Sequence, residues 1–95
     1  MTTKDEFVRK MHAKLDQWNA EIDTLKAKTD TAEAEARAEY HKQLETLRSK
    51  RDDARHKLNE LESAGENAWE DLKAGVELAW ESVSEAVRSA TSRFK

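Results

Sequence analysis

Residues with ligand or acid–base chemistry are few and spread along the whole chain. His12, His41 and His56 each have a carboxylate four residues on, at Asp16, Glu45 and Glu60. On a helix, i and i+4 share a face, so an imidazole and a carboxylate at that spacing could clip a divalent metal. The same spacing is that of an ordinary surface charge pair, the reading adopted for all three. Asp53 and His56 have the i, i+3 spacing of a di-iron ligand pair. That site takes two such motifs and two further glutamates, so a single pair does not make one. There is no Cys, hence no thiol chemistry and no Cys-type zinc site. No nucleophile stands beside a base, and no Gly-rich loop is present to cradle phosphate. Ser82, Ser84, Ser89, Thr91 and Ser92 read as a solvated polar face. The chain is therefore expected to be non-enzymatic, with no catalytic, metal or cofactor-binding residues and no cofactor.

The charge balance points away from nucleic acid. Seventeen Lys and Arg stand against twenty Asp and Glu, a net charge of −3 in 95 residues. The basic stretch Arg48, Lys50, Arg51, Arg55 and Lys57 is interrupted by Asp52 and Asp53. A nucleic-acid footprint is a basic face, so no nucleic-acid partner is expected. Fourteen residues are Ala, and Leu, Ile, Val and Phe together number fifteen. Ala, Glu, Lys, Leu and Arg make up about 55% of the chain, the composition of long helices and coiled coils. With no Pro and two Gly, a turn-rich β fold is excluded. No apolar run approaches bilayer length, and Met1–Glu6 lacks the apolar centre of a signal peptide, so a soluble cytoplasmic protein is expected.

Helical spacing organises the first two thirds. Thr3 and Glu6 have capping-box spacing. Val8, Met11, Leu15, Trp18, Ile22 and Leu25 then follow in steps of three and four, a heptad seam. Phe7 beside Val8 allows either phase at the entry. The seam thins through Thr29, Ala32, Ala36 and Tyr40, where steps of four interrupt the heptad like a stutter. It resumes at Leu44 and Leu47, passes Arg51 and Ala54, and returns at Leu58 and Leu61. A break is expected at 63–66: Gly65 would end one helix in the left-handed conformation, and Ser63 with Glu66 would cap the next. A second possible break lies at 29–31, where Asp30 and Glu33 have capping spacing but neither Gly nor Pro forces a turn.

The last third repeats every eleven residues. WEDLKAGVELA at 69–79 is followed by WESVSEAVRSA at 80–90. Eleven residues make almost three whole turns, so the pattern stays on one face. Trp69, Leu72, Val76, Trp80, Val83, Val87 and Phe94 fall in an arc of about 80° at 100° per residue. Ala68, Gly75, Ala79 and Ala86 lie beside them, and Leu78 stands alone opposite.

The expected fold is all-α: an antiparallel helical bundle or coiled coil of two or three long helices, forming a single domain over 1–95. Its parts are a coiled-coil segment at 4–62, interrupted near 29–31 if the chain turns there, and an amphipathic helix at 66–93. The last helix is acidic at its start and basic at Arg88, Arg93 and Lys95, which suits the macrodipole. Residues 66–85 carry six acids and one Lys. An antiparallel hairpin centred on residue 64 would set Glu77 near Arg51 and Glu81 near Arg48. If the chain turns near residue 30, the result is a three-helix bundle. If it runs straight, the N-terminal half docks on a second copy as a swapped dimer. So small and Ala-rich a core is marginal alone, which favours a homodimer or higher homo-oligomer. Leu15, Trp18, Ile22, Leu25, Leu44, Leu47, Leu58 and Leu61 would hold that self-association. Eleven-residue amphipathic repeats also suit lipid surfaces, so a membrane surface is the second partner class. The acidic polar face of 66–85 argues against anionic bilayers.

Two segments carry a resemblance. ARAEYHKQLETLRSKRDDARHKL at 36–58 and AWEDLKAGVELAWESVSEAVRSATSRF at 68–94 are similar to a group of short bacterial coiled-coil stress-response proteins. The resemblance implies a bacterial cytoplasmic setting linked to stress, and supplies no catalytic residues.

Overall fold

The computed structural model describes residues 3–94, with Lys95 outside them. The fold is an all-α antiparallel bundle of three long helices: α1 (Lys4–Asp30), α2 (Ala34–Ser63) and α3 (Ala68–Arg93). They run up, down and up, so α1 and α3 are parallel to each other and antiparallel to α2. The bundle measures 51 × 18 × 17 Å.

Thr3 caps α1 as its spacing suggested: its hydroxyl accepts from the Glu6 N–H at 3.2 Å. Asp5 and Glu6 place negative charge in the first turn, where the helix dipole favours it. The chain turns after Asp30, which is the last residue of α1 and not the cap of α2. Thr31 is still close to helical (φ −98°, ψ −1°), and Glu33 turns the chain with an extended backbone (φ −64°, ψ 153°). Glu33 caps α2 without a side-chain hydrogen bond; its carbonyl accepts from Ala36 and Arg37. The straight helix over 4–62 is thus replaced by a hairpin whose link is Thr31–Glu33.

The second link differs from expectation in its chemistry. Among the described residues no glycine has a positive φ, so Gly65 does not act as a left-handed cap. Ser63 ends α2, and α3 is preceded by Asn67, so the Ser63–Glu66 capping box does not form. Instead the Gly65 carbonyl accepts from the Ala68 and Trp69 N–H groups at 3.1 and 3.2 Å. The end of α2 is satisfied from another helix. Lys4 Nζ donates to the Glu62 carbonyl at 2.8 Å and the Ala64 carbonyl at 2.6 Å. The last turn of α2 has no basic residue of its own, so α1 supplies the cation its dipole favours.

The core is one continuous cluster drawn from all three helices. At the entry to α1 the structure selects Phe7 (3% exposed) over the half-buried Val8. Met11, Leu15, Trp18, Ile22, Leu25 and Thr29 follow on the same buried face. Thr29 is tolerated there because its hydroxyl donates to the Leu25 carbonyl at 2.9 Å. From α2 come Leu44, Leu47, Ala54, Leu58 and Leu61, and from α3 Trp69, Val76, Trp80, Val83, Val87 and Ala90, with Phe94 just beyond. Leu72 is only half-buried, and Leu78 is exposed.

Aromatic pairs set the register. Phe7 meets Trp69 with ring centroids 6.0 Å apart, and Trp18 meets Trp80 at 5.2 Å. Both partners are eleven residues apart on their own helix, so α1 and α3 keep step along the bundle. Lys73 lies 5.6 Å from the Phe7 ring and 5.9 Å from the Trp69 ring, a cation–π contact over the first pair. At the far end Tyr40 stacks on Phe94 at 4.1 Å, and Arg93 reaches Glu39 at 3.8 Å. The expected hairpin would have set Glu39 opposite Ser89, so α2 and α3 pair about one turn further along. The cause is the late start of α3 at Ala68, which moves the hairpin centre beyond residue 64. Arg51 consequently turns from Glu77 to α1, donating to Asn19 at 2.9 Å and to Asp52 at 3.0 Å.

Candidate interaction surface

The histidine–carboxylate pairs separate in the structure. His56 and Glu60 pair at 3.3 Å, both largely exposed. His12 meets Glu62 on α2 instead of Asp16 on its own helix. His41 and Glu45 form no ion pair within 4 Å. Among the described residues no group of three His, Cys, Asp or Glu gathers as a metal site.

The residues expected to hold a self-association are all in the chain's own core. Leu15, Trp18, Ile22, Leu25, Leu44, Leu47, Leu58 and Leu61 are each at most 6% exposed. Trp69, Val76, Trp80, Val83, Val87 and Phe94 of the eleven-residue stripe are buried against α1 and α2. Between them these residues close the α1/α2 and α2/α3 seams. Leu72 of the stripe is half-buried, and Leu78 on the opposite side is exposed. No helix among the described residues is long and apolar enough to cross a membrane.

The third seam is bridged by the Phe7–Trp69 and Trp18–Trp80 pairs and grooved above them. α1 and α3 both pack closely on α2 and touch each other more sparsely. Between them runs a groove with two adjoining hollows. One, of about 590 Å³, is lined by Trp18 and Val87 below and by Lys14, Glu21 and Arg88 at its rim. The other, of about 530 Å³, has Met11 and Trp80 below. Lys10 and Lys14 rim it on the α1 side, and Glu77, Glu81, Glu85 and Arg88 on the α3 side. Trp80 is 3% exposed, and its indole N–H is buried without a hydrogen-bond partner.

The rim charges are arranged by the same helical spacing that builds the core. Lys10 and Lys14 lie one turn apart on α1, as do Glu77, Glu81 and Glu85 on α3. All are exposed, and none makes an ion pair within 4 Å. Over this stretch Lys10 and Lys14 on α1 stand across from Glu77, Glu81 and Glu85 on α3 without engaging them, and further along the signs swap, with Glu21 on α1 and Arg88 on α3. Sequence reasoning missed these strips because it paired the acids of α3 with the bases of α2. The i, i+4 lysines of α1 were the available signal. Lys4 was missed as well, since nothing local announces a cap delivered from another helix.

The hydroxyls of Ser84, Thr91 and Ser92 also line the groove. Its features are buried apolar side chains beneath and charged rims above. No family model, curated protein or solved structure matches the chain.

Proposed function

We propose that this chain is a non-enzymatic structural or interaction protein that works by self-association. The observation that carries the reading is the grooved α1/α3 side. Two helices that are closely packed on α2 leave a long groove between them, rimmed by charges that no partner in the chain satisfies. The other seams are filled, so this side is where a further helix gains contacts. The resemblance of 36–58 and 68–94 to bacterial stress-response proteins supplies the proposed setting, a bacterial cytoplasm under stress. Lipid binding through α3 ranks second, because its apolar stripe would first have to leave a core in which burying each large side chain is worth about 1.5–3 kcal/mol.

The test is solution mass by light scattering after size exclusion, over a wide range of concentrations. The reading expects a mass that rises to a dimer or larger species. A monomer at every concentration refutes it. Vesicle co-sedimentation with a blue shift of Trp fluorescence from an otherwise monomeric chain would favour the lipid reading.

A further inference from the structure

We propose that the α1/α3 face is a two-fold interface in which the lysine strip of one chain lies on the glutamate strip of a second copy. This rests on the self-association proposed above and names its surface and symmetry. The argument starts from the parallel course of α1 and α3. Phe7 lies level with Trp69 and Trp18 with Trp80. Lys10 and Lys14 therefore sit at the height of residues 72–76, within about one turn of Glu77.

A face of two parallel helices can meet its own copy about two in-plane two-fold axes. An axis along the bundle lays α1 of one chain over α3 of the other, in parallel and at unchanged height. Lys14 then faces Glu77 of the second copy, with Lys10 and Glu81 about 7.5 Å to either side, twice over. An axis across the bundle lays α3 on α3 in reverse. Glu77, Glu81 and Glu85 straddle the middle of α3, so that arrangement sets like charges against each other. Complementary rims select partners by repelling the wrong arrangement as much as by attracting the right one. The charges select the axis along the bundle.

The area is adequate. A face of 51 × 18 Å offers roughly 900 Å² of projected surface, close to the ~800 Å² per partner of a standard interface. Met11, Trp18, Trp80 and Val87 beneath the groove are at most 8% exposed in the single chain, so the second copy would meet the rims above them. Because the rims are exposed ion pairs, the association should weaken as salt rises and the Debye length falls to about 3 Å near 1 M.

The experiment uses the full chain in four forms: wild type, Lys10→Glu with Lys14→Glu, Glu77→Lys with Glu81→Lys, and Ala34→Pro. Sedimentation velocity is run at low and high salt, with helicity checked by circular dichroism. The wild type is expected to dimerise at low salt. Each double reversal alone should weaken self-association by about tenfold or more, since like charges then meet across both contacts. Mixing the two reversed chains should restore a heterodimer. One of its contacts is native and the other reversed on both sides, whereas pairing within a chain is not repaired by mixing. If a reversed chain does not fold, cysteines provide the second reading, because the chain has none of its own. Lys14→Cys chains mixed with Glu77→Cys chains should cross-link faster than either alone. A monomeric wild type overturns both the self-association and this interface. A wild-type dimer untouched by the reversals, with no preferential cross-linking, overturns this interface alone. Loss of that dimer in Ala34→Pro would then assign it to exchange of α1 across the Thr31–Glu33 link.

Discussion

Replacing Lys4 by Met removes the cap of α2 while keeping the aliphatic stem. Lys4 is the only group bonded to both the Glu62 and Ala64 carbonyls among the described residues, at 2.8 and 2.6 Å. The last carbonyls of a helix have no partner within it, and α2 ends without a basic residue or a left-handed glycine. Hydrogen bonds to a charged donor are worth about 1.5–3 kcal/mol when buried. Here one ammonium serves both and is only half-buried, so water replaces part of what is lost. The expected cost is about 1–2 kcal/mol in total. For a chain of this size that lowers Tm by about 5–15 °C. Urea and thermal unfolding followed by far-ultraviolet circular dichroism measure it, with an unchanged urea slope showing that the folded state keeps its compactness. Amide exchange should rise at Ala68 and Trp69, whose N–H groups bond to Gly65 in the link that Lys4 anchors. Stability of Lys4→Met within about 0.3 kcal/mol of wild type would refute the cap, since a surface lysine without partners changes stability by no more than about 0.5 kcal/mol.

Three further substitutions probe the helices and the link. Gly75→Ala should stabilise by about 0.5–1 kcal/mol, because a methyl there meets nothing within 4 Å and a mid-helix glycine is costly; a lower Tm would count against that packing. Leu58→Ala should destabilise by about 2–5 kcal/mol, since Leu58 is fully buried in the core cluster; urea unfolding reads the loss, and a cost below 1 kcal/mol would mean α2 is not packed as described. Ala34→Pro should keep the three-helix bundle and stabilise it by about 0.4–1 kcal/mol, because Ala34 is exposed at the first helical position and Glu33 already has the extended backbone that precedes proline. A lower melting temperature in that variant would place the turn elsewhere.

The buried faces were legible because periodicity is a local property of the chain. The three-and-four spacing from Met11 to Leu25 marks one side of α1 whatever lies against it. The eleven-residue repeat does the same for Trp69, Val76, Trp80, Val83 and Val87, all of which are buried. Composition alone excluded a β fold. Thr3 was legible as a cap because its bond to Glu6 spans three residues.

What remained open were contacts whose energy comes from distant parts of the chain. The 31–33 link has no Gly or Pro, and a straight helix and a hairpin differ there mainly at Glu33; burying α1 on α2 and α3 decides between them. Phe7 and Val8 are equivalent by spacing, and the Trp69 ring across the bundle selects Phe7. Charge pairs act within a few ångströms, so a shift of one turn reassigns them: Arg51 goes to Asn19, His12 to Glu62 and Glu39 to Arg93. Which faces are apolar follows from side-chain spacing along each helix. Which faces meet, which helix end Lys4 caps, and the parallel course of α1 and α3 with their charges unengaged emerge on packing. Each of these depends on register between segments, which no local pattern encodes.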